Sequence, residues 1–247
     1  MRFIEKNIKT NSLVIEAKNI LETSGHYNHS DRVRDIIRIL YSGCCAFCES
    51  SIEDSSFFQI EHFYPKNIAI YKQYDKSIEN LHYSCQRCNT LKGRKLQTKI
   101  FSPNYFLNSN QWIETIEEKI ENEMYYIGYL LFSYNSTKKS IDRGNETIKL
   151  FDLNNFNGFG RSSRQHLVES RLRVFDKIYN ILNVIFEMLI RYDKKNNDAI
   201  ELLFSIVSRH TNRTSHFSTM VIHNFGSDLI KLLEIYSIKK NTVGNKR

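Results

Sequence analysis

The sequence predicts an α+β fold that is mostly helical, with its few strands confined to the part of the chain before residue 135. Apolar residues recur at helical spacing through most of the chain after residue 161, whereas strand-like runs occur near 57–60 and 124–134. Only two prolines and nine glycines occur among the 247 residues. These numbers are too small for an all-β architecture, which needs many tight turns.

Composition and charge exclude several classes of protein. With 41% hydrophobic and 13% aromatic residues, the chain is not expected to be disordered. Its most apolar stretch, residues 178–190, is too short to span a bilayer and contains Glu187. The first ten residues have no apolar segment of the kind found in signal peptides, so we expect a cytoplasmic protein. The net charge of +8 favours a polyanionic partner.

The N-terminal elements follow from periodicity and from the residues that end each run. Helical spacing of apolar residues predicts helices over 11–23 and 29–40, the second of which is followed by a glycine. A short strand is expected over 57–60, where aromatic and β-branched residues cluster before Pro65. A short helix is expected over 86–97, and the last pair of cysteines lies at its start.

The later elements are one or two strands over 124–134, a turn at 142–144 and a short helix over 147–153. Longer helices are predicted over 161–192, 198–209 and 215–238. We divide the chain into residues 1–110, with the N-terminal helices and all five cysteines, and residues 111–247. The second part combines the short β-containing segment with the helical C-terminal region, which is expected to dock a partner or DNA.

The cysteines predict a structural metal site. Two C-x-x-C pairs supply four thiolates, which is the ligand number of a tetrahedral zinc ion. The predicted zinc ligands are Cys45, Cys48, Cys85 and Cys88. Cys44 could replace Cys45, although its spacing to Cys48 is the less usual one. Reduced structural or redox thiols are the other interpretation, whereas a disulfide framework is typical of secreted chains.

The segment between the two cysteine pairs carries residue types suited to phosphodiester hydrolysis. A neutral histidine can take a proton from water, because its pKa lies near the working pH. Carboxylate and amide oxygens are the ligands that Mg²⁺ and Mn²⁺ prefer. Glu61 and His62 are adjacent at a strand end, so their side chains point to opposite sides of the backbone. Asn89, at the start of the next helix, can complete a metal site with Glu61.

The order C-x-x-C, Glu-His, Asn-Leu and C-x-x-C-Asn-x-x-Lys-Gly resembles the motif of HNH endonucleases. The resemblance implies a zinc-stabilised ββα-metal HNH nuclease core, with N-terminal helices and a C-terminal helical region. It implies that His62 is the general base and that Glu61 and Asn89 bind a catalytic Mg²⁺ or Mn²⁺. Asn80 is expected to orient the loop of His62. The long gap between the cysteine pairs predicts an insertion around 68–77.

Three longer strings resemble one subfamily, the PtuB-like HNH component of Septu-type and retron-associated anti-phage systems. They are Cys45–Glu49, Ile60–Lys66 and Glu146–Asn154. The resemblance implies a nuclease that cuts nucleic acid, with DNA favoured, beside an ATPase subunit of the same defence system. This chain has no G-x-x-x-x-G-K-[ST] and therefore supplies no P-loop. The alternative is a non-catalytic zinc-stabilised module that binds nucleic acid or acts as an adaptor.

Basic residues near the motif predict where nucleic acid is bound. Four of them are candidates for contact with backbone phosphates, with ordinary solvated charges as the other interpretation: Lys66, Lys92, Arg94 and Lys95. Residues 161–247 contain 15 basic and eight acidic residues, so much of the positive excess lies outside the motif. That excess is compatible with DNA and with a protein partner alike.

Overall fold

The computed structural model describes most of the chain, and its residues divide into two compact units. The described residues are 1, 4, 6, 9–24, 30–52, 58–93, 100–103, 124–134, 142–156 and 164–244. Unit 1 comprises Met1–Tyr125 and Leu131–Asn155, and unit 2 comprises Tyr126–Leu130 and Phe156–Arg247. Helices dominate both units, which confirms the predicted fold class.

Unit 1 contains short helices and a small antiparallel sheet. Its elements in chain order are α1 (Ser12–Ser24), α2 (Asp31–Leu40), β1 (Phe58–His62), β2 (Leu81–Cys85), α3 (Gln86–Lys92) and α4 (Arg143–Phe151). The 3₁₀ turn Ala69–Tyr74 lies in the predicted insertion, and a second 3₁₀ turn, Ile78–Asn80, follows it. The hairpin of β3 (Met124–Ile127) and β4 (Leu130–Ser133) forms a second two-stranded sheet.

The turn predicted at 142–144 is wrong, because these residues begin α4. Asp142 is the N-cap of this helix, and its Oδ1 accepts a hydrogen bond from the backbone N–H of Asn145 at 2.8 Å. An aspartate at this position satisfies one of the unpaired N–H groups of the first turn. Aspartate favours both turns and helix N-caps, so the sequence around 142–144 fits either structure. Here the residues that follow Asp142 form a helix, and Asp142 is its N-cap.

The sheet of β1 and β2 is the frame on which unit 1 is built. The two strands pair antiparallel, with Glu61 opposite His82 and His62 opposite Leu81. α2 packs against β2, and α3 packs against both strands. The stacked rings of Phe47 and Phe151, with centroids 4.2 Å apart, lie in the core of the unit.

Among its described residues, unit 2 contains three α-helices that pack against one another in pairs. They are α5 (Gln165–Ile190), α6 (Asn197–Thr211) and α7 (Ser218–Gly244), and they confirm the helical region predicted from periodicity. Residues such as Ile178, Ile200 and Val221 are fully buried between them. Within the described residues, none of the helices has the length and apolar character needed to cross a membrane.

Candidate active site

Four cysteine sulfurs from the two C-x-x-C knuckles form one cluster in unit 1. The Sγ atoms of Cys45, Cys48, Cys85 and Cys88 all lie within 4.8 Å of one another. Ligands of a tetrahedral zinc ion lie about 3.8 Å apart, given a Zn–S distance of about 2.3 Å. The backbone of Cys44 instead forms an isolated bridge with Ser51, and its sulfur is not part of the cluster.

The electrostatics of the cluster favour a bound cation. Burial raises the pKa of the Cys45 and Cys88 thiols, because a dry site disfavours the charged thiolate, and neighbouring cysteines of the cluster add to the shift. The pKa of Cys85 is lowered, chiefly by its hydrogen bond with Cys45. A zinc ion bound by the four sulfurs would remove this penalty by neutralising the thiolates. The donor set and its spacing therefore fit zinc.

The second knuckle joins the sheet to a helix. Cys85 is the last residue of β2 and the N-cap of α3, and its Sγ accepts a hydrogen bond from the backbone N–H of Cys88 at 3.4 Å. Gly93 follows the helix with a φ of +51°, a backbone conformation that glycine adopts without strain. The cluster thus determines how α3 is oriented on the strands.

Two pairs of polar side chains connect β1 with α3. Gln59 and Glu61 lie two residues apart on the strand and share a face, while Asn89 and Lys92 lie three apart on the helix. The Nδ2 of Asn89 donates to the Oε1 of Gln59. The ammonium of Lys92 pairs with the carboxylate of Glu61 and donates to the backbone oxygen of His62 at 2.7 Å.

The Glu61–Lys92 pair is shielded from water. Glu61 is 5% exposed and Lys92 is fully buried. Burial raises the pKa of Glu61 and lowers that of Lys92, and their mutual attraction opposes both changes. A buried ion pair of this kind is retained only when each charge has its partner, because either charge alone is costly in a dry environment.

His62 lies at the end of β1, and its Nε2 faces Asp75 from the insertion. Nε2 is 3.1 Å from the backbone oxygen of Asp75 and 3.1 Å from its Oδ1. The imidazole is 8% exposed, so the protein encloses most of the ring. An imidazole that keeps some exposure can exchange a proton with a molecule that reaches it.

Asn80 ties together the segments on either side of the histidine. It is fully buried, and its Oδ1 accepts from the backbone N–H of Tyr64 at 2.7 Å. Its Nδ2 donates to the backbone oxygens of Tyr64 and Tyr74, each at 3.1 Å. Its own backbone oxygen accepts from Phe63 at 3.0 Å. One side chain therefore links the residues after His62 with the residues before Asp75.

Comparison with known proteins gives this part of the chain a family. Residues 45–95 match the family described as HNH endonuclease. This segment is an HNH endonuclease domain. The HNH domain contains both cysteine pairs, Glu61, His62 and α3, so the resemblance predicted from the motif is confirmed.

A second comparison concerns the subfamily. Septu protein PtuB of Bacillus mycoides (strain KBAB4) is 39% identical to this chain over 70 residues. The match covers 24% of this chain and 24% of that protein, so it spans about a quarter of the relative's length. The similarity to PtuB predicted from the sequence is thereby confirmed over this stretch. No solved structure matches the chain.

The residues predicted to contact phosphate have different surroundings in the HNH domain. Lys66 is exposed, whereas Lys92 is buried against Glu61 and cannot reach a phosphate without leaving that carboxylate. The sequence carries no signal that separates the exposed Lys66 from the buried Lys92. Arg94 and Lys95 lie outside the described residues.

Three features of unit 1 escaped the sequence analysis. The first is the polar connection of β1 with α3. The strand alternation that places Gln59 and Glu61 on one face of β1 was a signal that could have found it. Asp75 lies 13 residues from His62, and no local pattern connects the two. The third is a buried group behind β2, in which the Tyr41 hydroxyl lies 2.6 Å and the Lys6 ammonium 3.4 Å from Nδ1 of His82.

Proposed function

We propose that the protein is a metal-dependent endonuclease that hydrolyses phosphodiester bonds of nucleic acid, with DNA as the favoured substrate. The observation that carries the proposal is the adjacent pair Glu61 and His62 at the end of β1, inside a segment that matches the HNH endonuclease family. A structural zinc module needs neither a histidine that keeps some exposure nor a carboxylate facing the following helix.

Each residue of the site has a role in the proposed reaction. His62 accepts the proton of the attacking water. Glu61 and Asn89 are the proposed ligands of a Mg²⁺ or Mn²⁺ ion, because their carboxylate and amide oxygens suit that ion. When bound, the ion neutralises charge on the phosphate and on the leaving 3′ oxygen. Asn80 holds the segment that carries His62 through its bonds to Tyr64.

The remaining proposed assignments concern zinc, phosphate contacts and biological setting. The four clustered cysteines bind structural zinc, and Lys66, with Arg94 and Lys95, contacts backbone phosphates. The similarity to Septu protein PtuB supports a role as the nuclease of an anti-phage defence system. In that setting the partner is an ATPase subunit of the same system, and the protein acts in the cytoplasm.

A supercoiled-plasmid nicking assay tests the proposed activity. We expect cutting with Mg²⁺ or Mn²⁺, none after EDTA, and loss of cutting in His62→Ala with zinc content and helical signal unchanged. His166→Ala is the matched control, because that imidazole is fully exposed on α5. The assay is run with and without the proposed ATPase partner. Cutting by His62→Ala at the wild-type rate would overturn the assignment.

One observation favours a non-catalytic module instead. The Glu61 carboxylate already carries a cation, the ammonium of Lys92, which competes with a divalent ion for the same oxygen. Titration with Mn²⁺, followed by electron paramagnetic resonance, distinguishes the two functions before any cutting is measured. A nuclease binds Mn²⁺ and loses that binding in Glu61→Gln, whereas a zinc module binds none at this site.

A further inference from the structure

We propose that unit 2 carries a binding surface for the phosphate backbone of duplex DNA. The surface combines the loop between α6 and α7 with the adjoining turn of α5, and we call it the basic cluster. Its members are Lys177, Arg209, His210, Arg213 and His216. The inference rests on the proposed function, in which DNA is the favoured substrate. It goes beyond that function by giving a role to positive charge that lies outside the HNH domain.

Contacts within unit 2 bring the members of the basic cluster together. The ammonium of Lys177 on α5 lies 3.3 Å from Nε2 of His210, in the last turn of α6. The imidazoles of His210 and His216 meet edge to face, with centroids 6.4 Å apart. Arg209 precedes His210 on α6, and Arg213 lies in the turn that follows the helix. Lys177 and both arginines are exposed, so a large anion can reach them.

The loop between α6 and α7 is held in place by its own hydrogen bonds. The hydroxyl of Ser215 donates to the backbone oxygen of Arg209 at 2.6 Å. The backbone N–H of Ser215 donates to the oxygen of Asn212 at 2.9 Å, and that of Thr214 donates to the Oδ1 of Asn212 at 3.0 Å. Because the loop is already ordered, a ligand does not have to supply the entropy cost of ordering it.

The basic cluster carries charge of one sign. No aspartate or glutamate occurs between Glu201 and Asp228, a stretch that contains the whole loop. Asp176 adjoins Lys177 on α5, and neighbours in a helix do not face each other. The ion-paired carboxylates in the described part of unit 2 have partners outside the cluster: Glu169 pairs with His166, Asp228 with Lys231 and Glu201 with Lys240.

The environment of His210 shows the effect of this charge. Burial lowers the pKa of His210, and the charges of Lys177 on α5 and His216 on the loop lower it further. An anion beside the same groups would favour the protonated imidazole, because an opposite charge stabilises it. Binding of phosphate to the cluster should therefore become tighter as the pH falls toward the range in which histidine takes up a proton.

The composition of the loop favours a nucleic acid over a protein partner. Residues 208–216 read Ser-Arg-His-Thr-Asn-Arg-Thr-Ser-His, and none of them is apolar. The buried centre of a protein interface is apolar and poor in charged residues. The DNA backbone is instead a row of phosphates, which arginine, lysine, hydroxyl and amide groups contact. The loop supplies these groups together with Lys177.

The experiment measures DNA binding by fluorescence anisotropy. The zinc-loaded full chain is titrated into a labelled DNA duplex without added Mg²⁺ or Mn²⁺, so that binding is measured apart from cutting. The test variant, Lys177→Gln with Arg209→Gln, removes two exposed charges of the basic cluster. The matched control, Lys194→Gln with Lys195→Gln, removes two exposed charges from the 3₁₀ turn before the other end of α6. Circular dichroism establishes that each variant is folded.

The test variant is expected to bind DNA with a weaker dependence on salt. Removing two phosphate contacts lowers the slope of log affinity against log salt by about 2. From about 50 to 200 mM salt, wild type therefore loses about tenfold more affinity than the test variant. The matched control and His62→Ala keep the wild-type slope. Between about pH 7.5 and 6 the affinity of wild type rises more than that of His210→Gln.

Four results would overturn the proposal. They are a test variant with the wild-type salt slope, a matched control that changes as much as the test variant, a wild type that binds no DNA at about 50 mM salt, and a His210→Gln variant with the pH dependence of wild type. An RNA duplex of the same sequence forms the last arm of the experiment. If the test variant loses affinity for RNA alone, the surface serves RNA and the proposal fails.

Failure of this inference and failure of the proposed function give different results. A protein that binds DNA with the expected salt slopes but does not cut it with Mg²⁺ or Mn²⁺ refutes the proposed nuclease and retains the surface. A protein that cuts DNA while the test variant binds like wild type refutes the surface and retains the nuclease.

Discussion

At the scale of single residues, Lys6 shows how burial in unit 1 changes a titratable group. Its side chain is fully buried, and the ammonium donates to the backbone oxygens of Ile78, at 3.0 Å, and Leu81. Burial lowers the pKa of Lys6 to about 7, and the nearby Glu79 carboxylate only partly opposes the change. The ammonium lies on the strand that pairs with β1, so its charge state matters for the stability of the sheet.

This environment predicts a pH dependence of stability. Between about pH 7 and 10 the unfolded chain holds a proton on Lys6 that the folded protein lacks, so stability increases with pH by up to about 1.4 kcal/mol per unit. Below pH 7 both states hold the proton and the dependence ends. Urea denaturation from pH 6 to 9.5 should show that the free energy of unfolding of wild type rises relative to Lys6→Met above pH 7.

The control for this comparison is Lys9→Met, because Lys9 is exposed. Its free energy of unfolding should run parallel to that of wild type across the whole pH range. If the curve of Lys6→Met also runs parallel to wild type, Lys6 holds its proton in the folded protein and the argument from burial is wrong.

The role of a residue was predictable from the sequence where the spacing of a motif indicates it. It was not predictable where the role depends on contacts with residues distant in the chain. The four cysteines were predictable because two knuckles of equal spacing supply the ligand number of zinc. The burial of Lys92 depends on how α3 lies on β1, and that orientation is a tertiary property. The contact of Asp75 with His62 arises from the path of an insertion, which no periodicity encodes.

At the scale of elements, two helical glycines differ in the space around them. A Cβ at Gly144, in the first turn of α4, would overlap the Oγ of Ser133 and lie 2.8 Å from its Cβ. The Ser133 hydroxyl donates to Asp142, which caps this helix, so it has little freedom to move. A Cβ at Gly226 in α7 meets only the Cγ2 of Ile222, at 3.7 Å.

Alanine at these two positions should therefore change stability in opposite directions. Gly144→Ala is expected to lower the free energy of unfolding by about 1–3 kcal/mol through overpacking. Gly226→Ala is expected to raise it by about 0.5–1 kcal/mol, because alanine loses less entropy in a helix and fits the space. Chemical denaturation of the zinc-loaded variants measures both, and changes of equal sign would contradict the argument.

The strand β2 illustrates why some elements resist prediction. Its first four residues are buried, since α2 covers one side of the sheet and α3 packs on it as well. A strand that is buried on both faces loses the alternation of polar and apolar residues that identifies strands. In β2 the buried positions include His82 and Ser84, so the run is not continuously apolar either. The helices of unit 2 were predictable because their buried apolar residues recur at helical spacing, as Val174, Ile178 and Leu182 do in α5.

At the scale of the whole molecule, the proposed zinc site should determine whether unit 1 folds. The cluster draws ligands from residues 40 positions apart and orients α3 on the sheet. Metal binding of this kind supplies free energy of folding. We expect one zinc per chain in the purified protein and none in Cys85→Ser, together with loss of the cooperative unfolding transition of unit 1.

Cys44 provides the matched control for zinc binding. It is buried like its neighbours, yet its sulfur lies outside the cluster. Cys44→Ser should retain one zinc per chain, measured by metal analysis after dialysis, and should keep the wild-type circular dichroism spectrum. Loss of zinc in this variant would mean that Cys44 and not Cys45 belongs to the ligand set.

The position of Cys85 at the boundary of β2 and α3 has a consequence for handling the protein. It is the partly exposed thiol of the cluster, and without metal its pKa is lowered, so we expect peroxide to attack this sulfur first. An oxidised sulfur can neither cap α3 nor bind zinc. Damage at this one atom would release the helix that carries Asn89 and Lys92 while His62 stays chemically intact. Samples stored without reductant should therefore fail through a loosened helix and not through a lost base.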